Sequence, residues 1–247
     1  MDMKHITLLP ILVLLAVGCS VYHPQSVDIP LLEKAGETRA EVAIAASASV
    51  VPDVVSVNAT VSHAFNDWLA GQAHFNGGSG VYYAQLAPGA YLPLGEKGVL
   101  EGYAGLGFGG SSEHTGTITP EEGSAYSYSF HGNYSVPFVQ ANIGLRHLWI
   151  FELALGMKVG AYLPNYSYTE FDSNGDVRPE ASLLYRTSSL LLEPQFQFRI
   201  GGKHVKFTTR LGFCWLSDMD HGGYLSNGPD NLIHDVVTVS TGLLFTF

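Results

Sequence analysis

The chain has 247 residues, 46% of them apolar and only 14% charged, with 28 Gly, 13 Phe and 13 Tyr. So few charges set it apart from ordinary soluble domains, at about 25%, and so much apolar and aromatic content excludes a disordered chain. Twelve Lys plus Arg against 22 Asp plus Glu give a formal charge of -10, which argues against nucleic-acid binding, since phosphate contacts need a basic face.

At the amino end, Lys4 precedes an uncharged, largely apolar run of 13 residues from Ile6 to Gly18. A membrane-crossing helix takes about 20 apolar residues; the run instead has the charged-then-apolar pattern of an export signal. It closes on Leu15-Ala16-Val17-Gly18-Cys19. That junction resembles the lipobox of bacterial lipoproteins, with Ala16 where Leu is commoner. The resemblance implies removal of residues 1–18 and lipidation of Cys19, whose two or three acyl chains hold a membrane where one does not. Residues 19–38 then read as a linker with little pattern. Cys214 is the one other thiol, so no disulfide framework exists.

From Arg39 onward the apolar period is two, the period of a strand. Turn signals divide 39–247 into ten strands: 39–51, 54–64, 68–76, 80–92, 98–110, 126–146, 149–163, 182–200, 204–217 and 233–247. In the seventh, Trp149, Phe151, Leu153, Leu155, Met157, Val159, Ala161 and Leu163 alternate with Ile150, Glu152, Ala154, Gly156, Lys158, Gly160 and Tyr162. Connections at 65–67, 94–97, 146–148 and 201–203 are tight, whereas Ser111–Ala125, Pro164–Ala181 and Asp218–Leu232 are long and polar.

The faces decide the class. The polar face carries single charges among Gly, Ala, Ser, Gln and Asn, too few for a water-facing exterior. The apolar face of 149–163 rises roughly 33 Å at about 3.3 Å per residue and a tilt near 45°, enough to cross an apolar band of about 25 Å. These features predict a single antiparallel up-and-down transmembrane β-barrel of about ten strands, with eight or twelve as alternatives. The chain also ends on a same-face row, Leu243, Phe245 and Phe247, which resembles the carboxy-terminal assembly signal of such barrels.

Together these features resemble the small outer-membrane β-barrels of Gram-negative bacteria, porin-like or OmpA-type, in a lipoprotein subgroup. The resemblance implies outer-membrane residence, lipid and the barrel-assembly machinery as partners, and both termini in the periplasm, so 19–38 becomes a periplasmic linker. It does not imply one activity.

Glu101, Glu152 and Glu193 share the inward face with Arg146, Lys158, Arg199, Lys206 and Arg210, and charges in a narrow lumen must be paired. They read as an ionic network that locks a largely closed lumen, for example through Glu152 with Arg210. Three alternatives remain: a small porin, a soluble lipid-anchored lipocalin-like barrel whose Trp, Phe and Leu face lines a cavity, and a surface adhesin. Asp172-Ser173-Asn174-Gly175-Asp176 resembles the start of a Ca²⁺ loop, but its twelfth position is Leu183 rather than Glu. Asp218, Asp220, His221, His234 and Asp235 could gather a cation, yet solvated loops are the expectation for both. No cofactor and no catalytic residue is predicted, because no His has a nucleophile at a telling spacing.

Overall fold

The structure, a computed structural model, describes residues 22, 25–48, 54–78, 80–114, 126–217 and 237–247. Its strands are β1 (Thr38–Ala48), β2 (Val54–Ala64), β3 (Leu69–Gly78), β4 (Val81–Leu94), β5 (Gly98–His114) and β6 (Tyr126–Leu148). They continue as β7 (Phe151–Asp172), β8 (Val177–Tyr185), β9 (Ser189–Gly201), β10 (Val205–Phe213), β11 (Trp215–Leu216) and β12 (Val237–Thr246).

All but β8 and β11 form one closed antiparallel ring of ten strands, each paired with its neighbour in the chain. β7 pairs with β9, and β12 returns to β1 along a register from Arg39 with Thr246 to Ala48 with Val237. The backbone of Phe247 exchanges two hydrogen bonds with Thr38 (2.9 and 3.2 Å), so the seam is zipped to the last residue. Closure leaves no free edge in the ten-strand ring, which a bilayer demands because unpaired backbone groups cannot be hydrated there.

Strand alternation then sorts the side chains. Val42, Ile44, Phe75, Leu86, Phe108 and Leu155 face outward and are about half exposed, whereas Arg39, Glu41, Gln72, Glu152, Arg199 and Arg210 face inward and are buried. An oily exterior around a polar interior is the inverse of a soluble protein and the mark of a transmembrane barrel. The alternative in which the apolar face lines a ligand cavity is thereby overturned. At the short-turn end Phe65, Trp68, Trp149 and Phe247 stand exposed, the place of an interfacial aromatic girdle.

One expected loop is a hairpin. Pro164–Ala181, expected as a polar connection, is largely strand: β7 continues to Asp172 and β8 returns along it, pairing Tyr166 with Tyr185. The cause is local: Tyr166, Tyr168 and Glu170 alternate with Ser167, Thr169 and Phe171, a pleated pattern. Gly175, at φ 86°, then reverses the chain. The Asp172 carboxylate, considered as a Ca²⁺ ligand, accepts the backbone N–H groups of Asn174 (2.8 Å) and Asp176 (2.9 Å) and ties this turn. The strand expected over 182–200 is consequently split between β8 and β9.

The seam generates a test. Gly242 lies opposite Ala43, and a Cβ there would stand 2.2 Å from the Val42 carbonyl oxygen and 2.6 Å from the Ala43 Cα. Backbone cannot give way as a flexible side chain can. Gly242→Val should therefore reduce the folded fraction, read as heat-modifiable migration on electrophoresis, well below that of the lipid-facing control Leu243→Val. Equal fractions would refute the tight seam.

Candidate functional site

The lumen is occupied by the protein's own chain. Residues 25–32, expected as part of a periplasmic linker, are all buried, and their partners are inward-facing wall residues. The segment climbs from the short-turn end, where Gly36 N–H donates to the Ala64 carbonyl. We refer to Tyr22 together with residues 25–37 as the plug.

Its lowest contacts use charge. Glu37 accepts from Arg39 Nε at 3.0 Å and Arg146 Nη1 at 3.1 Å, and Arg146 Nη1 also donates to the Leu31 carbonyl at 2.6 Å. Glu33 reaches Arg146 Nε at 3.1 Å and His147 Nε2 at 2.7 Å. Leu31 has a left-handed φ of 55°, a strained state for a branched residue. Arg146 on its carbonyl and Glu101 on the following N–H (Leu32 N to Oε1, 2.8 Å) hold it there. Gly144 makes the room: a Cβ on it would lie 2.6 Å from the Leu31 Cδ2.

Higher up, the plug is held as though by a strand. Gln197 accepts the Ile29 N–H at 3.1 Å and donates to the Ile29 carbonyl at 2.8 Å. Gln72 Nε2 donates to the Asp28 carbonyl at 2.8 Å. A buried backbone without a ladder needs such side-chain partners, since each unpaired group costs about 1–3 kcal/mol. The Asp28 carboxylate sits between two fully buried guanidinium groups, Arg199 and Arg210, the latter at 3.0 Å. Near the top, Glu193 Oε1 takes the Gln25 N–H (3.1 Å) and the Tyr22 hydroxyl (2.8 Å). The Tyr22 ring stands edge-on to Tyr134 (5.3 Å) and Tyr162 (5.1 Å). That collar continues through Tyr83, stacked on Tyr134 at 6.1 Å, and Phe130 on Tyr166 at 4.6 Å.

The sequence-predicted ions lie in this lumen, but they do not form one network. Glu152 gathers Arg39 through two bonds of 3.2 Å, Arg199 (3.1 Å), Arg146 (3.4 Å) and Lys206 (3.6 Å). Glu193 pairs with Lys158 at 2.9 Å. Glu101 touches Asn142 (3.3 Å) and the plug rather than a cation. The expected pair of Glu152 with Arg210 is not formed: Arg210 chelates Glu41 from the neighbouring side of the barrel and reaches Asp28. Sequence reasoning missed Arg39 and Glu41, although both share the inward parity of β1. It also missed Asp28, which no periodicity marks.

The plug carries charge opposite to the wall's excess. Around it six wall cations (Arg39, Arg146, Lys158, Arg199, Lys206 and Arg210) face four wall carboxylates (Glu41, Glu101, Glu152 and Glu193). Asp28, Glu33 and Glu37 of the plug are drawn to that positive excess.

No family model and no curated protein matches the chain. Among solved structures it is similar to the outer membrane protease OmpT from Escherichia coli, at 11% identity, with a TM-score of 0.57 over 85% of this chain and 97% of that one. The likeness shows the fold. This is a ten-stranded transmembrane β-barrel. Proteolysis is not carried over at such identity. Among the described residues no three His, Cys, Asp or Glu converge as a metal site; Asp218, Asp220, His221, His234 and Asp235 lie outside the described residues, as does Cys19.

Removing Asp28 would leave two buried guanidinium groups short of a partner. Asp28→Ala should cost about 3–5 kcal/mol, the range for breaking a buried ion pair, measured by denaturant unfolding of the detergent-folded barrel. A loss no larger than that of an exposed Asp67→Ala would show that the plug is not held by charge.

Glu37 adds a pH dependence. Burial would raise its carboxyl, but Arg39 and Arg146 outweigh this and hold it below the ordinary carboxylate value. A depressed acid stabilises above its unfolded-state pKa and loses that contribution as pH falls through the folded one. Acidification should therefore loosen the wild-type plug, and Glu37→Gln should flatten that acid limb in a melting series across pH.

Proposed function

We propose that the protein is an outer-membrane lipoprotein, anchored at Cys19, whose barrel serves a structural or surface-contact role and conducts nothing at rest. The observation that carries the closed state is the plug: Asp28 between Arg199 and Arg210, with Tyr22 seated in the aromatic collar above. Short turns at one end and the taller β5–β9 walls at the other support an orientation with the short turns in the periplasm and Ser111–Ala125, the β7–β8 hairpin and Asp218–Leu232 outside. Those three outer segments are rich in carboxylates, so they would share the divalent cations that bridge outer-leaflet phosphates. In this reading Leu243, Phe245 and Phe247 serve the assembly machinery. The reading has no catalytic step and no cofactor.

Planar-bilayer recording tests it. The full-length barrel should show no steady current. A variant lacking residues 22–33 should open, and its excess of wall cations should make the current prefer anions. Large steady currents through the intact chain would favour the small-porin alternative and defeat the closed-lumen reading.

A further inference from the structure

The direction of the plug determines where the preceding chain goes. Its contacts climb the wall in order: Glu33 and Glu37 meet Arg146 near the foot of β6, Ile29 meets Gln197, Gln25 meets Glu193, and Tyr22 meets Tyr162. Tyr162 stands eleven residues above Phe151, the first residue of β7. At about 3.3 Å per residue and a tilt near 45°, that is roughly 26 Å, the full height of the apolar band. Tyr22 lies three positions after Cys19, a reach of about 11 Å even when fully extended. With Tyr22 in its socket, Cys19 is too far from the short-turn mouth to reach it. The way down is also filled, by the plug itself.

We propose that the chain before Tyr22 leaves through the long-loop mouth, placing Cys19 and any acyl chains it carries opposite the two barrel ends, Thr38 and Phe247. The inference rests on the proposed lipidation and orientation for its biological meaning: the anchor then enters the outer leaflet beside the surface loops, and the mature amino end is not periplasmic. A lipid in the periplasmic leaflet and a seated plug exclude one another. Acyl chains at that mouth fit the setting, because the β7–β8 hairpin and the aromatic collar already mark the wall's taller side.

Epitope tags test the route in intact cells that make the full chain. One tag follows Ser20, one sits at Asn174 in the β7–β8 turn, and one at Gly202 in the β9–β10 turn. Antibody should reach the Ser20 and Asn174 tags and lose its signal at Gly202 until the cells are opened. Protection of Ser20 with Gly202, while Asn174 stains, would overturn the inference and leave the orientation standing. Staining at Gly202 alone would overturn the orientation instead. Spin-label pairs in purified full-length protein in nanodiscs decide the route independently of orientation. Residue 20 should lie nearer 174 than 202, and the reverse order would refute the proposal. Palmitate labelling of wild type against Cys19→Ala isolates the lipidation: unlabelled wild type would remove the anchor and leave the exit route intact.

Discussion

Buried guanidinium groups organise this barrel. A charge moved from water into a narrow lumen must find an opposite partner, and the effective penalty is several kcal/mol per ion when it does not. Arg39, Arg199 and Arg210 are almost completely inaccessible; Arg39 and Arg210 each grip one carboxylate through both Nη groups, and Arg199 bridges Glu152 and Asp28, contacts that a Lys could not reproduce. Glu152 serves Arg39 and Arg199 together, while Glu41 and Asp28 divide Arg210. These bonds tie β1, β7, β9 and β10 across the lumen, so the cross-section is set from inside as much as by the backbone ladder.

The upper lumen solves the same filling problem with different chemistry. There the wall turns to Tyr83, Tyr134, Tyr162 and Tyr166, whose rings meet in stacked and tilted pairs. Such pairs contribute about 0.5–1.5 kcal/mol each beyond the area they bury. Ions below and aromatics above leave the plug two kinds of socket, one for Asp28 and one for Tyr22.

Much of this was legible in the residues. Strict alternation in β7, β10 and β12 fixed the fold class and the inward parity of Glu152, Lys158, Arg199 and Arg210. Partner choice was not legible, because parity tells which face a charge joins but not which height or which strand it meets. Arg210 therefore found Glu41 across the β12 and β1 register rather than Glu152. The plug was the larger omission. Gln25 to Leu32 has no period because its backbone is bound by wall side chains instead of a ladder, and an irregular segment of that kind looks like a linker. The β7–β8 hairpin was missed for a simpler reason: Ser, Thr and Asn among tyrosines read as loop composition although their alternation is that of a strand.

A closed ring with a thread inside it is a topological object, and that imposes an order on its formation. The β1–β12 seam pairs residues about two hundred positions apart, and Tyr22 meets Glu193 across a separation of 171. Contacts so remote in sequence are slow to form. If the seam zipped first, the segment before Thr38 would have to be drawn through a lumen already lined with buried charge. The order that avoids this is the opposite one: the sheet curls around the thread while still open, Arg199 and Arg210 capture Asp28, and closure follows. Once shut, the wall surrounds the thread on every side, and the thread is freed only when these lumen contacts break or the seam opens.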